Sequence, residues 1–458
     1  MKKILSIAVL IGMLFILCSG VLFAEEKAAT PPPAAPAAAS APAAAPAPAA
    51  TPAPLKIDTG DTAWMITATA LVMLMTLPGL ALFYGGMAKG KSVLNTLSMS
   101  FVTYAIVSVL WILYGYSFSF STDLGGIIGA GDKLFLKGIS INSITDAAKT
   151  IPEFVFVVYQ LTFAAITVAL ASGSYVERMK FSAWVLFSIL WLTFTYVPIA
   201  HWVWGNGFLA QWGALDFAGG TVVHINAGVA GLVGALMLGK RKDPTYKPNN
   251  LPFVVIGAGL LWFGWFGFNA GSALAANGLA GAAFVNTNTA TALATVAWMT
   301  AEWMHGGKPT ILGLASGAVA GLVAITPAAG FVNISGALVI GLAAGVICYF
   351  AVAKLKPMFG YDDALDVFGV HAVGGILGAL LTGIFADPAI NDAGKGLLFG
   401  NPVQLWIQIK AVGITIAYTA ITTFIIFLII KMVVGIRVDI DEEVSGLDES
   451  QHGEKAYS

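Results

Sequence analysis

From Ala63 to the end of the chain, apolar stretches long enough to cross the hydrocarbon core of a bilayer alternate with short polar breaks. The stretches begin near Ala63, Thr96, Pro152, Ser182, Phe217, Leu251, Thr289, Ile311, Asn333, Asp366 and Pro402, with the cuts taken at Gly and Pro points. Read as full crossings, they predict an all-α polytopic membrane protein of about eleven helices. The weakest spans lie between Ile311 and Tyr349, where "AITPAAGFVN" supplies a short turn.

Lysine and arginine recur in alternate breaks: Lys89 and Lys91; Arg178 and Lys180; Lys240, Arg241, Lys242 and Lys247; Lys308; Lys354 and Lys356; and Lys431 with Arg437. The breaks "HWVWGNGFLAQWGALD", "AANGLAGAAF" and "TPAAGF" have none, and 121–150 mixes Lys with Asp. By the positive-inside rule, the N-terminus lies outside and the tail lies in the cytoplasm, across a cytoplasmic (inner) membrane.

The first segment agrees with that orientation. Residues 1–24 run from Lys2 and Lys3 through an apolar core to Ala24, as in a secretory signal peptide, though Leu22 is unusual two places before the cut. A lipoprotein cut before Cys18 and a retained anchor are the competing readings. Residues 25–60 are Pro/Ala-rich and read as an extended extracytoplasmic linker. The expected transmembrane domain is then 61–435, followed by a cytoplasmic tail, 436–458, whose polar composition alone reads as solvated.

Composition narrows the function classes. Of 458 residues, 58% are hydrophobic and 10% charged, where a soluble domain carries about 25% charged. A net charge of −1 gives no basic footprint for nucleic acid. Two cysteines, Cys18 and Cys348, provide neither a disulfide framework nor a metal cluster, so no metal or cofactor is expected.

Within this apolar background two histidines stand out. "LDFAGGTVVHINAGVAGLVGALMLG", from Leu215, and "LDVFGVHAVGGILGALLTG", from Leu365, each open with Leu-Asp, pass a histidine and close in the frame G-[LI]-[VL]-G-A-L-x-x-G. His224 precedes its frame by seven residues and His371 by four, an offset of about one helical turn. The first copy falls on the fifth span and the second, of opposite polarity, on the tenth. That is the pattern of a five-plus-five inverted repeat around a central hydrophobic path, whose equivalent elements meet near the midplane. An ionisable side chain there costs roughly 2.5 kcal/mol or more, so a repeated one points to a task. A packing role, with each ring bonded to a backbone carbonyl, is the plainer alternative. Asp216 and Asp366 open their helices as candidate N-caps; Asp216 could also favour a cation beside an outer vestibule.

At these residues the chain resembles the ammonium transporter (Amt/Rh) family, in its bacterial Amt branch. The motif runs from Asp216 to Arg241. "LFYGGMAKGKSVLN", "FVFVVYQLTFAAIT", "ERMKFSAWVLFSILW", "YVPIAHWVWGNG", "WFGWFGFNAGSALAAN", "TPAAGFV" and "DDALDVFGVHAVGGILG" match in the family's order, over about Asp61 to the C-terminus. The resemblance implies an eleven-helix homotrimer that carries ammonium, with one path per subunit. It implies an outer recruitment site of Phe163, Trp204 and Ser272, paired rings Phe163 and Phe268 closing the mouth, twin histidines His224 and His371, and Asp216 as a buried outer carboxylate. Tyr159 stands where many bacterial relatives have phenylalanine. The ending "GLDESQHGEKAY" resembles the tails of members that bind PII-type nitrogen-signalling proteins.

Elementary chemistry accounts for such a design. Ammonium and potassium are alike in size and charge, but only ammonium donates hydrogen bonds and can shed a proton. An aromatic face compensates a desolvated cation by up to about 2 kcal/mol. An apolar path with neutral imidazoles repels a bare ion and passes ammonia. The expected function is therefore ammonium uptake, not catalysis. Rival readings are an ammonium sensor acting through a partner and an Rh-like gas channel for ammonia or carbon dioxide. An enzyme would need a nucleophile, metal or cofactor site, and His305 and His452 are the cytoplasmic histidines on offer. His201, at a loop edge, reads as an interfacial residue.

Overall fold

The computed structural model describes residues 56–245 and 247–457. The expected signal peptide and linker residues 25–55 lie outside the described residues. Among the described residues the fold is mainly helical, with one two-residue hairpin, Asp123–Leu124 against Ile128–Gly129.

The spans are α1 (Thr59–Met87), α2 (Gly90–Phe120), α3 (Glu153–Ser174), α4 (Phe181–Gln211), α5 (Gly220–Leu238), α6 (Leu251–Gly271), α7 (Gly278–Gly306), α8 (Ile311–Ile325), α9 (Ile334–Phe359), α10 (Phe368–Phe385) and α11 (Pro402–Val433). Among the described residues, nine of these are both long and apolar enough to cross a membrane. The other two are α7, which is polar in places, and α8, at 15 residues.

Two boundaries differ from the hydropathy reading. Helix α1 starts at Thr59, ahead of Ala63 and inside the expected linker. Asp58 caps it, its carboxylate accepting from the Asp61 amide at 2.9 Å. Helix α7 starts at Gly278, well before Thr289, so most of "AANGLAGAAF" is helix and not loop. Asn277 caps this end through the Ala280 amide, and the polar residues that masked the helix are bonded inward. Asn286 Nδ2 donates to the Ala329 and Val332 carbonyls at 2.9 and 2.7 Å, and Asn269 Nδ2 donates to Thr287 Oγ1 at 2.9 Å. Amide donors satisfied this way are tolerated in an apolar interior.

The two repeat helices, α5 and α10, cross at small residues. A Cβ on Gly228 would strike the backbone of Ala372, and one on Gly375 would lie 2.9 Å from the Gly220 carbonyl oxygen. Close approach of this kind is what glycine permits between membrane helices. Both helices open with a wider π turn, Gly220–Ile225 in α5 and Phe368–Ala372 in α10, and each π turn contains its histidine. Such turns place a side chain off the regular helical stripe and recur at functional sites.

Beyond α11 the tail is packed, against the solvated reading. It forms α12 (Ile440–Ser445) and α13 (Leu447–His452). Leu447 and Asp448 are buried, Asp448 Oδ1 accepts from the Asn95 amide at 2.8 Å, and the His452 ring lies edge-on to Phe181 with centroids 4.6 Å apart. Tyr457 donates to Asn249 Oδ1 at 2.6 Å. A few apolar and aromatic positions among the acids are enough to dock it.

Several basic residues of the breaks are also paired instead of solvated. Arg241 reaches Asp362 and Glu177 at 2.9 and 3.0 Å, and Arg178 donates to the carbonyls of Gly239 and Asp362. Burial pushes the Asp362 carboxyl up, but the Arg241 guanidinium outweighs it and leaves that group below its ordinary value.

Candidate functional site

Trp204, Phe163, Phe268, His224 and His371 are joined by a run of ring contacts inside the helix bundle. His224 Nδ1 and His371 Nδ1 lie 3.3 Å apart, with ring centroids 5.4 Å apart and both rings buried. A contact between two imidazole nitrogens needs one N–H and one lone pair. The donor ring then keeps a lone pair on its Nε2, and the acceptor ring carries its proton on Nε2. His224 Nε2 is buried without a protein hydrogen-bond partner. The plainer alternative, each ring bonded to a backbone carbonyl, is not what the geometry gives.

On one side of the pair, His224 stacks on Trp265 at 5.3 Å and 19°, and Phe268 follows at 6.0 Å. Phe268 is stacked on Phe163 with centroids 4.1 Å apart, and both rings are buried. Trp204 meets Phe163 edge-on at 5.7 Å and 87°, while its indole N–H donates to the Asp216 carbonyl at 2.9 Å. On the other side of the pair, a cavity bounded by Phe83, Tyr84, Leu312, Val370 and Asp366 reaches His371.

Tyr159 and Ser272 complete the aromatic end. Tyr159 lies 4.9 Å from Phe163, and its hydroxyl sits 3.0 and 2.9 Å from the Gly267 and Phe268 carbonyls and 3.2 Å from Ser272 Oγ. Ser272 in turn donates to the Phe268 carbonyl at 2.8 Å. The tyrosine hydroxyl is thus turned into α6, leaving its ring to pack as a phenylalanine would.

Asp216 is an N-cap. One carboxylate oxygen accepts from the Gly219 and Gly220 amides at 2.9 and 2.6 Å, and the other from Thr221 and Val222 at 2.8 and 3.0 Å. Four charge-assisted bonds hold this group at the positive end of α5. Asp366 departs from the matching expectation. Its side chain pairs with Lys356 Nζ at 2.6 Å and makes no cap. Asp363 caps α10 instead, accepting from the Phe368 amide at 2.8 Å and from Ser174 Oγ at 2.7 Å. Asp363 reaches five residues ahead, as Asp216 does to Thr221. "DDALD" offers three acids, and the Leu-Asp match selects the wrong one.

Sequence reasoning also passed over Trp265, the stacking partner of His224, and misjudged His201, which is fully buried between Ser119 and Asp123. A tryptophan in "WFGWFGFN" gives no signal separating a ring on the path from one in the core.

One prediction concerns Tyr159. Replacing it by phenylalanine removes a hydroxyl aimed at carbonyls and keeps the ring. The expected cost is about 0.5–1.5 kcal/mol, read as a lowered thermal midpoint, with methylammonium uptake within about threefold of wild type. A loss of about tenfold or more in uptake would show that the hydroxyl itself contacts the cargo.

Comparison with known proteins fits this arrangement. The model of the Ammonium Transporter Family matches residues 63–457. The chain is 62% identical over 405 residues to an ammonium transporter of Aquifex aeolicus, covering 88% of this chain and 94% of that one. It is 51% identical over 400 residues to an ammonium transporter of Bacillus subtilis, covering 87% and 98%. The crystal structure of Saccharomyces cerevisiae Mep2 superposes with a TM-score of 0.79 at 37% identity, covering 84% of this chain and 88% of that one. A solved chain described as a Sensor Amt Protein does so with a TM-score of 0.78 at 28% identity, covering 86% and 98%. This chain, a multi-pass α-helical membrane protein, belongs to the ammonium transporter family.

Proposed function

We propose that the protein takes up ammonium by binding the cation at an outer aromatic site, removing its proton and passing ammonia between the two histidines. The observation that carries this reading is the 3.3 Å contact between His224 Nδ1 and His371 Nδ1, in line with the stacked Phe163 and Phe268.

In this reading Trp204, Phe163 and Ser272 receive ammonium, the indole and phenyl faces supplying cation–π attraction of up to about 2 kcal/mol and the hydroxyl an acceptor. Asp216 sits behind Trp204 with both carboxylate oxygens occupied by amides, so it holds the indole through its carbonyl and contributes negative potential without binding the cation directly. Tyr159 backs the site through its ring. Phe163 and Phe268 are in van der Waals contact, and cargo passes when they swing aside. Potassium has no proton to leave behind and would enter the apolar segment with its full desolvation cost. Ammonia meets one lone pair and one N–H at the histidines, matching its own donors and acceptor.

The positive-inside pattern supports an outward N-terminus, with the signal peptide removed, and a cytoplasmic tail. On that orientation the docked α12 and α13 lie at the cytoplasmic face, and their sequence supports a PII-type nitrogen-signalling protein as partner of a homotrimer. The likeness to a protein described as a sensor keeps signalling through such a partner as the second reading.

Two experiments test these statements. In reconstituted vesicles, the double variant His224→Ala, His371→Ala is expected to lose ammonium-over-potassium discrimination by about tenfold or more, equal to about 1.4 kcal/mol. Wild-type uptake with wild-type selectivity would refute the pathway. Deleting residues 446–458 is expected to abolish co-purification of the PII-type partner; undiminished binding would remove the tail from that contact.

A further inference from the structure

The outer stretch of α4 is fastened to the loop following α2 by two neighbouring side chains. His201 is fully buried, and each ring nitrogen faces an acceptor. Nδ1 lies 2.9 Å from the Ser119 carbonyl oxygen, and Nε2 lies 2.9 Å from Asp123 Oδ1. The ring is thereby held between two fixed acceptors, one on each side of it. The hydrogen bond from His201 holds the Asp123 carboxyl below the ordinary carboxylate value. Two of the loop's other charged groups, Asp132 and Lys133, are engaged elsewhere, with Thr122 and Glu153.

The neighbouring contacts run in the same direction. Trp202 Nε1 donates to the Ile127 carbonyl at 2.8 Å, and the Phe208 amide donates to the Gly126 carbonyl at 2.9 Å. Gly205 makes the approach possible, because a Cβ there would strike the Ser119 carbonyl and lie 2.7 Å from His201 Nδ1. Trp204 sits between these attachments, three residues after His201, with its indole tied on the far side to the Asp216 carbonyl. The edge-on geometry of Trp204 against Phe163 therefore depends on where the loop holds the end of α4.

We propose that His201 and Asp123 are a positioning pair for Trp204, their side-chain hydrogen bond fixing the angle that the indole presents to an arriving cation. The inference rests on the reading of Trp204 as a recruitment residue.

Uptake of labelled methylammonium by vesicles separates affinity from capacity. Asp123→Asn and His201→Gln are each expected to raise KM about three- to tenfold with Vmax within about twofold, the scale of a misaligned cation–π contact. Asp123→Glu, which keeps the charge, is expected to bring KM back to within about twofold of wild type. Added to Trp204→Leu, neither loop variant raises KM by more than about a further twofold. Should His201→Gln fail to fold, Asp123→Asn carries the test, since that carboxylate is partly exposed. An unchanged KM in Asp123→Asn, or a lowered Vmax at unchanged KM, overturns the positioning pair. An unchanged KM in Trp204→Leu overturns the recruitment reading beneath it.

Discussion

Two imidazoles from opposite halves of an inverted repeat touch through their Nδ1 atoms inside an apolar bundle, and much of the rest follows from that contact. The rings meet because α5 and α10 cross at glycines, with Gly228 against Ala372 and Gly375 against Gly220. Each ring leaves its helix from an opening π turn. An unpaired ring here would leave a polar nitrogen facing hydrocarbon, at a cost of about 1–3 kcal/mol.

The carboxylates around the proposed path are hydrogen-bonded or ion-paired where they stand. Asp216 is satisfied by four amides, Asp363 by Ser174 and the Phe368 amide, and Asp366 by Lys356. Asp362 and Glu177 are held by Arg241. An entering cation therefore finds aromatic faces first and no free carboxylate to replace its water. That arrangement favours a cargo able to shed its charge, which separates ammonium from potassium on chemistry instead of radius.

Much of the fold could be read from hydropathy, because membrane helices announce themselves by length and apolarity. The failure at α7 is instructive. Asn286, Thr287 and Asn269 bond one another or neighbouring carbonyls inside the bundle, so the helix looks like a loop to any scale that scores side chains singly. The twin histidines were legible because they recur in a repeat. Asp363 was not, since its cap is set by a five-residue reach that a Leu-Asp match does not encode. His201 looked interfacial because a loop-edge histidine carries no sign of the Asp123 that meets it from another loop. The tail looked solvated because its docking depends on a few residues, Leu447 and Tyr457 among them, scattered through acids.

The central claim is that the two path histidines form one neutral, hydrogen-bonded unit, and histidine nitrogen-15 magnetic resonance on the protein in lipid reads this directly. Signals assigned by their loss in His224→Ala and His371→Ala should belong to two neutral rings at near-neutral pH. One should be protonated on Nδ1 and the other on Nε2, with a coupling across the shared proton. Two imidazolium nitrogens in either ring, or two rings without mutual coupling, would contradict the account.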